Sequence, residues 1–366
     1  MRLPFIVPLL ILMLTCSAHA LADSRHITAH TAVTKWGQMP CRFSVSGQQL
    51  PEGLSPADFT VTGKASAWGA TALHAFSCGI REVHPLDDGW ELIPERFTDK
   101  YFYVREMQIA CSSHPELGFT LQDIEATHTD TADLFFRYAS DDGVLDARVF
   151  LPEAQGPLPV VVVFHGYGDT DNLLTYRTAV PWAEPEQQAV RPCIVIAPVI
   201  PSDRYTSPFI RGKVLDAVMA YIGTLTSKGS ADPQRIYAMG NSFGGMTAFE
   251  MAERFPGRIA AVLALCPALN YSPQAQSGLT RLDTVPILIA HAERDETIPS
   301  AVSKEAAEIL QKAGNPEVTL RIYTDEEMEA AGAAHGFSET YSFHHVELAV
   351  MEDPATFEWL FSHRLP

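Results

Sequence analysis

Arg235-Ile-Tyr-Ala-Met-Gly-Asn-Ser-Phe-Gly-Gly-Met246 carries the reading of this chain. An apolar run leads into Gly240-Asn241-Ser242-Phe243-Gly244, and a helix-like stretch follows. G-x-S-x-G between a strand and a helix is the context of a nucleophile elbow, a turn so sharp that it lifts the serine hydroxyl above a sheet edge. Side chains at Gly240 and Gly244 would collide with the neighbouring strand and helix, and Ser242 is expected to hold a strained backbone. The pentapeptide alone also occurs in ordinary loops. Three further segments, in chain order, decide its meaning.

Upstream, Leu158-Pro-Val-Val-Val-Val-Phe164 is the apolar run of a strand buried on both faces, and it ends in His165-Gly-Tyr-Gly168. Glycines past a strand end let backbone N–H groups turn toward a ligand. The N–H of Tyr167 and that of Phe243 are therefore the candidate oxyanion-hole donors, each worth about 3 kcal/mol in such sites. The plainer reading is a tight turn after a buried strand. Downstream, Pro286-Ile-Leu-Ile-Ala-His-Ala-Glu-Arg-Asp295 runs a second buried strand into a polar turn. Asp295 is the candidate carboxylate that orients a histidine; its plainer role would be to cap a helix start. Glu293 and Glu296 read as solvated neighbours. The histidine itself is left open among His335, His344 and His345, which all follow Val318–Thr324 and an acidic, alanine-rich insertion.

Asp232-Pro-Gln-Arg-Ile-Tyr-Ala-Met-Gly-Asn-Ser-Phe-Gly-Gly245, Glu253-Arg-Phe-Pro256 and Ala260–Cys266 resemble a branch of the α/β-hydrolase superfamily. That branch holds secreted esterases and predicted peptidases related to polyhydroxybutyrate depolymerases and feruloyl esterases. The resemblance runs from about Leu134 to the C-terminus. Phe164-His-Gly-Tyr-Gly168 also resembles the strand-turn of the acetyl-xylan and cephalosporin-ester deacetylases, the runner-up resemblance. In the first branch the base precedes an aspartate-proline and a tryptophan-leucine pair on the last helix. Counting back from Asp353-Pro354 and Trp359-Leu360 reaches His344. The branch often has a tryptophan three places after the histidine, where this chain has Glu347. The resemblance thus implies a Ser242–Asp295–His344 triad, no cofactor and no metal. The substrate would be a small-molecule or polymer-linked ester, with an amide as the rival. A catalytically silent binding protein of the same fold is the reading from another class.

Residues 1–22 read as a signal peptide: Arg2, an apolar core from Leu3 to Leu14 too short to span a bilayer, and Ala18-His-Ala20 as cleavage site. Ala20-Leu-Ala22 is a second site, and Thr15 before Cys16 argues against a lipid anchor. A secreted or periplasmic location and no membrane span are expected. Removing that segment takes one arginine with it, so the formal charge of −18 becomes −19. Such a field disfavours nucleic acid as a partner. Cys193 and Cys266 lie on core strands as thiols. Cys41, Cys78 and Cys111 leave any pairing unreadable, and no cysteine spacing matches a zinc site.

Two textures divide the rest. Residues 23–130 show short β-like runs broken by turns, such as Cys41–Val45 and Trp90–Ile93, which predict a small immunoglobulin-like β-sandwich. Trp36, Trp90 and Tyr101 could form an aromatic platform there, although core packing is the commoner fate of such residues. Residues 131–366 alternate strands and helices, which predicts a mostly parallel sheet with helices on both faces. Val214, Val218, Tyr221, Ile222 and Leu225 mark one face of a helix over Gly212–Ser227. Insertions at 169–192 (with Tyr176 and Trp182), 270–283 and 325–343 are expected to shape a pocket.

Overall fold

The computed structural model describes residues 25–34, 37–66, 71–95, 103–168, 178–334 and 342–366. The signal segment, Cys16, Trp36, Tyr101, Tyr176 and His335 lie outside the described residues.

The N-terminal strands are β1 (His26–Thr34), β2 (Gly37–Ser46), β3 (Phe59–Ser66), β4 (His74–Leu86), β5 (Gly89–Pro94), β6 (Tyr103–Cys111), β7 (Phe119–Thr120) and β8 (Ile124–Thr129). They form one sheet in the order β7-β6-β3-β4-β5-β2-β1-β8. The long strand β4 turns the corner. Its first half pairs with β3 and its second half with β5, and the register slips between Ile80 and Glu82. A bulged strand shared by two sheet halves lets them fold face to face. Phe43 and Val45 from one half and Phe59, Val61 and Ile109 from the other share a single core. Trp90 is wholly buried in it, with ring centroids 5.8 Å from Phe59 and 6.5 Å from Phe119. Trp90 therefore belongs to the core and not to an exposed platform. Cys41, Cys78 and Cys111 are free thiols.

The second sheet holds β9 (Phe136–Ala139), β10 (Asp146–Phe150), β11 (Leu158–Phe164), β12 (Ile194–Pro198), β13 (Ala231–Asn241), β14 (Ala261–Leu265), β15 (Ile287–Ala292) and β16 (Val318–Tyr323). Their order is β16-β15-β14-β13-β11-β12-β10-β9. β9 and β10 pair antiparallel at one edge, β10 pairs antiparallel with β12, and the other neighbours are parallel. Every residue of β11, β12 and β14 is buried, as expected where helices cover both faces. The two-residue period of β11 sorts its side chains: Val160, Val162 and Phe164 face one core, Val161 and Val163 the other. The helices Pro208–Ser227, Phe243–Arg254 and Ala301–Lys312 cover the first face, and Pro354–Ser362 covers the second.

The helix expected from Gly212 starts at Pro208. Ser207 caps it through Oγ, and proline at the first position carries no N–H to waste. Val214, Val218, Tyr221, Ile222 and Leu225 are all buried on its inner face. Arg211, on the same helix, is 1% exposed. It is neutralised by a two-pronged bond to Glu250, at 2.6 and 2.7 Å, on the helix that follows the elbow. Part of the 325–343 insertion forms a helix, Asp325–Ala334.

Candidate active site

Ser242, Asp295 and His344 sit at the carboxyl edge of the parallel strands, and His335 lies outside the described residues. β13 ends at Asn241 and the helix Phe243–Arg254 begins two residues later, so Ser242 alone makes the turn. Its backbone adopts φ +56° and ψ −118°, a region that costs a non-glycine residue about 1–3 kcal/mol. The turn is held from outside. The N–H of Ser242 donates to the Leu265 carbonyl at 2.8 Å, and its own carbonyl accepts from Ala268 at 2.9 Å. A Cβ on Gly244 would lie 2.0 Å from the Phe164 carbonyl oxygen; one on Gly240 would lie 2.4 Å from the same atom. The elbow is thus pressed against the end of β11, and both positions require glycine. Gly245 is close behind: a Cβ there would come within 2.9 Å of the Leu265 carbonyl oxygen.

The end of β11 carries His165, which is fully buried. Its Nε2 accepts the N–H of Ile200 at 2.9 Å, so Nδ1 carries the proton and donates to the Gly166 carbonyl at 2.7 Å. A trans peptide sets its C=O and N–H in opposite directions. Pinning the Gly166 carbonyl to the imidazole therefore turns the Tyr167 N–H the other way. Phe243 is the first residue of its helix, so its N–H has no partner within that helix. Gly166, Tyr167 and Phe243 line the same cavity as Ser242.

Asp295 follows β15 and is 8% exposed. Its Oδ1 accepts the N–H groups of Thr297 at 2.7 Å and Ile298 at 2.9 Å. Asp295 therefore closes the turn that follows β15 and does not cap the helix Ala301–Lys312, whose N-cap is Ser300: one oxygen holds the turn and the other points at His344. Oδ2 accepts from His344 Nδ1 at 2.7 Å. Burial alone would raise the pKa of this carboxyl, but hydrogen bonds from His291 and His344, the charge of His344 and the Ile298 N–H hold it well below the usual carboxylate range.

His344 is tied down at three further points. Its N–H donates to Ser342 Oγ at 3.3 Å, and its carbonyl accepts from the Cys266 thiol at 3.3 Å. Glu296 is exposed, as expected of a solvated charge, and it also accepts from Ser342 Oγ and the Phe343 N–H, both at 3.0 Å, so that it anchors the loop that carries the histidine. Glu293 is exposed. His345 pairs with Glu347 at 2.9 Å, facing a different carboxylate from its neighbour.

A cavity of about 590 Å³ joins these groups. Ser242, His344, His345, Tyr167, Tyr271 and Ile298 are among its lining residues. Among the described residues that line it there is no lysine, arginine, aspartate or glutamate. The rings of Tyr167, Phe243 and Tyr271 run in series along it, with centroids 5.2 and 5.5 Å apart. Cys266, Asp295 and His344 bring potential ligand atoms within 4.8 Å of one another. They form no open metal site. His344 Nδ1 and Asp295 Oδ2 are bonded to each other, and burial, with the charges of Asp295 and Glu347 nearby, pushes the Cys266 thiol well above its ordinary value. Among the described residues no helix is long and apolar enough to cross a membrane.

Residues 212–334 match the model of the phospholipase/carboxylesterase family. A thermostable esterase of known structure superposes with a TM-score of 0.72 at 24% identity, over 93% of this chain and 99% of that one, so the shared fold takes in both sheets. Two further matches are weaker. An S-formylglutathione hydrolase from Agrobacterium tumefaciens gives 0.46 at 16% identity, over 63% of this chain and 95% of its own. Esterase 2 of Thermogutta terrifontis gives 0.41 at 18%, over 52% and 81%. No curated protein matches the sequence.

Proposed function

We propose that this chain, whose residues 212–334 match the phospholipase/carboxylesterase family model and whose fold is shared with a thermostable esterase, is an exported serine hydrolase that cleaves carboxylic esters through an acyl-enzyme. The observation that carries this reading is the 2.7 Å contact between Asp295 and His344 at the cavity that also holds the strained Ser242.

In this mechanism His344 takes the proton of Ser242 through Nε2 while Asp295, on Nδ1, fixes the tautomer and stabilises the imidazolium. Ser242 Oγ attacks the ester carbonyl. The carbonyl oxygen gains charge and is met by the N–H groups of Phe243 and Tyr167, which need no reorganisation because their peptides are already held. His344 returns the proton to the leaving alkoxide. Water, deprotonated by the same imidazole, then releases the acid. The tyrosine-lined cavity, whose described lining residues include no lysine, arginine, aspartate or glutamate, supports an uncharged ester, small or attached to a polymer, because a charged group there would lose its hydration without gaining a partner. Residues 1–22 support export to the periplasm or medium.

The test is labelling by an organophosphonate together with turnover of a chromogenic short-chain ester. The wild type should be labelled at Ser242 and active; Ser242→Ala should fold, resist the label and show no turnover. An unlabelled, inactive wild type would leave a silent binding protein as the answer.

A further inference from the structure

His291 takes no part in the steps above, yet it is fully buried at the end of β15. A buried imidazole has to find partners for both ring nitrogens. Nδ1 lies 2.7 Å from Ser303 Oγ on the helix Ala301–Lys312. Nε2 lies 2.9 Å from the Ile298 carbonyl oxygen and 3.1 Å from Asp295 Oδ2. A carbonyl and an ionised carboxylate can only accept, so Nε2 carries the proton and shares it between them. The Ser303 hydroxyl then donates to Nδ1 and fixes that tautomer.

The consequence for Asp295 is a carboxylate met from every side. Oδ1 holds the N–H groups of Thr297 and Ile298; Oδ2 faces His344 Nδ1 at 2.7 Å and His291 Nε2 at 3.1 Å. It cannot rotate about its Cβ–Cγ bond without leaving a buried partner unmet. Its charge on Oδ2 is also divided between two imidazoles.

We propose that His291, with Ser303 behind it, is a positioning residue of the catalytic site: it pins Asp295 and the 295–298 turn and limits how strongly Asp295 supports the His344 imidazolium. This rests on the acyl-enzyme reading. His291 touches neither substrate nor reacting atoms. Around His344 the titratable groups are Asp295, His345 with Glu347 behind it, Cys266 on its carbonyl and Glu296 on its loop. Among these, Asp295 is the group that His291 contacts.

The experiment uses the full chain with His291→Leu, His291→Gln and Ser303→Ala. It measures thermal midpoint, kcat and KM on a chromogenic ester across pH, and organophosphonate labelling. His291→Leu should lower kcat roughly tenfold to a hundredfold with KM little changed, the loss that a misplaced catalytic group brings. Its acid limb should move to higher pH, because Oδ2 is then left to His344. His291→Gln, whose amide N–H can reach the same oxygens, should recover most of kcat. Ser303→Ala should move the limb in the same direction by less, and it decides the matter if His291→Leu does not fold. A folded His291→Leu or Ser303→Ala variant with wild-type kcat and an unmoved limb overturns the proposal, since a residue that merely fills the core would alter the thermal midpoint alone. A wild type that the organophosphonate leaves unlabelled overturns the acyl-enzyme reading and this inference with it.

Discussion

His344 and Asp295 lie 49 positions apart in the chain and meet at 2.7 Å, Nδ1 to Oδ2. Both ends of that contact are held by bonds other than the contact itself. Asp295 is held by the turn that follows β15, and the His344 backbone is held by Cys266 at the end of β14 and by the Ser342–Glu296 link. The distance is therefore a property of the sheet edge and not of two mobile side chains that happen to meet. Such preorganisation is what lets a base act without reorganising during the reaction.

The neighbouring histidines should separate cleanly on mutation. His345 faces Glu347, not Asp295, so of these two His344 is the one oriented by the carboxylate beside the elbow. His344→Ala is expected to lower kcat by about 10⁴ or more, the usual loss for a triad member. His345→Ala should leave kcat within about tenfold and act mainly on KM, as a lining residue would. Steady-state kinetics on one chromogenic ester decides it; the reverse pattern would move the base to His345.

Ser242 is held at φ +56°, so its side chain is kept at an energetic cost. Glycine accepts that conformation freely. Ser242→Gly should be inactive yet more stable than the parent by about 1 kcal/mol, read from chemical denaturation. An unchanged or lower stability would mean that the elbow stores no strain.

Two glycines on neighbouring helices should respond in opposite ways to the same change. At Gly244 the added methyl would meet backbone atoms at 2.0 Å that cannot move without shifting β11. At Gly223, inside the helix Pro208–Ser227, it would meet nothing within 4 Å. Gly244→Ala should cost more than about 3 kcal/mol or prevent folding. Gly223→Ala should gain roughly 1 kcal/mol by helix propensity. Denaturation midpoints of the two variants test the pair together.

Much of this was legible in the sequence because it rests on local rules. Short, valine-rich, unbroken apolar runs such as Val160–Phe164 point to strands covered on both faces, and the glycines around Ser242 mark the close approach to Phe164. The residues alone left the histidine open and only the resemblance pointed to His344, because the choice among three candidates depends on where a loop returns to the sheet, and Cys266 and Glu296 set that through contacts distant in sequence. Arg211 precedes the helix expected from Gly212 and drew no reading; only the packing of two helices brings Glu250 over it. His291 sat inside a quoted strand and carried no signal, since alternation says that a residue is buried but not which polar atoms it will meet. In the N-terminal region β4 had no strong pattern because it serves two sheet halves and changes face at its bulge.

Glu253 should give the protein an unusual alkaline sensitivity. Its side chain is 7% exposed, Oε1 has no hydrogen-bond partner among the described residues, and Oε2 meets the largely exposed Arg281 at 2.9 Å. Burial outweighs that guanidinium, and Glu250 adds to it, so the carboxyl is pushed up from 4.5 to about 8. In the native state it keeps a proton that the unfolded chain gives up above the ordinary glutamate value. The stability it contributes is therefore complete below about pH 4.5 and declines as pH rises toward 8, beyond which no more is lost. Glu253→Gln imitates the protonated acid and lacks the titration. It should match the wild type at pH 5 and exceed it by about 2 kcal/mol at pH 8.5, measured by urea unfolding at both values. A wild type whose stability is level across that interval, or a glutamine variant that declines with it, would show that Glu253 ionises with little cost and that solvent reaches the cleft between Pro208 and Arg281 more freely than the packing of these helices indicates.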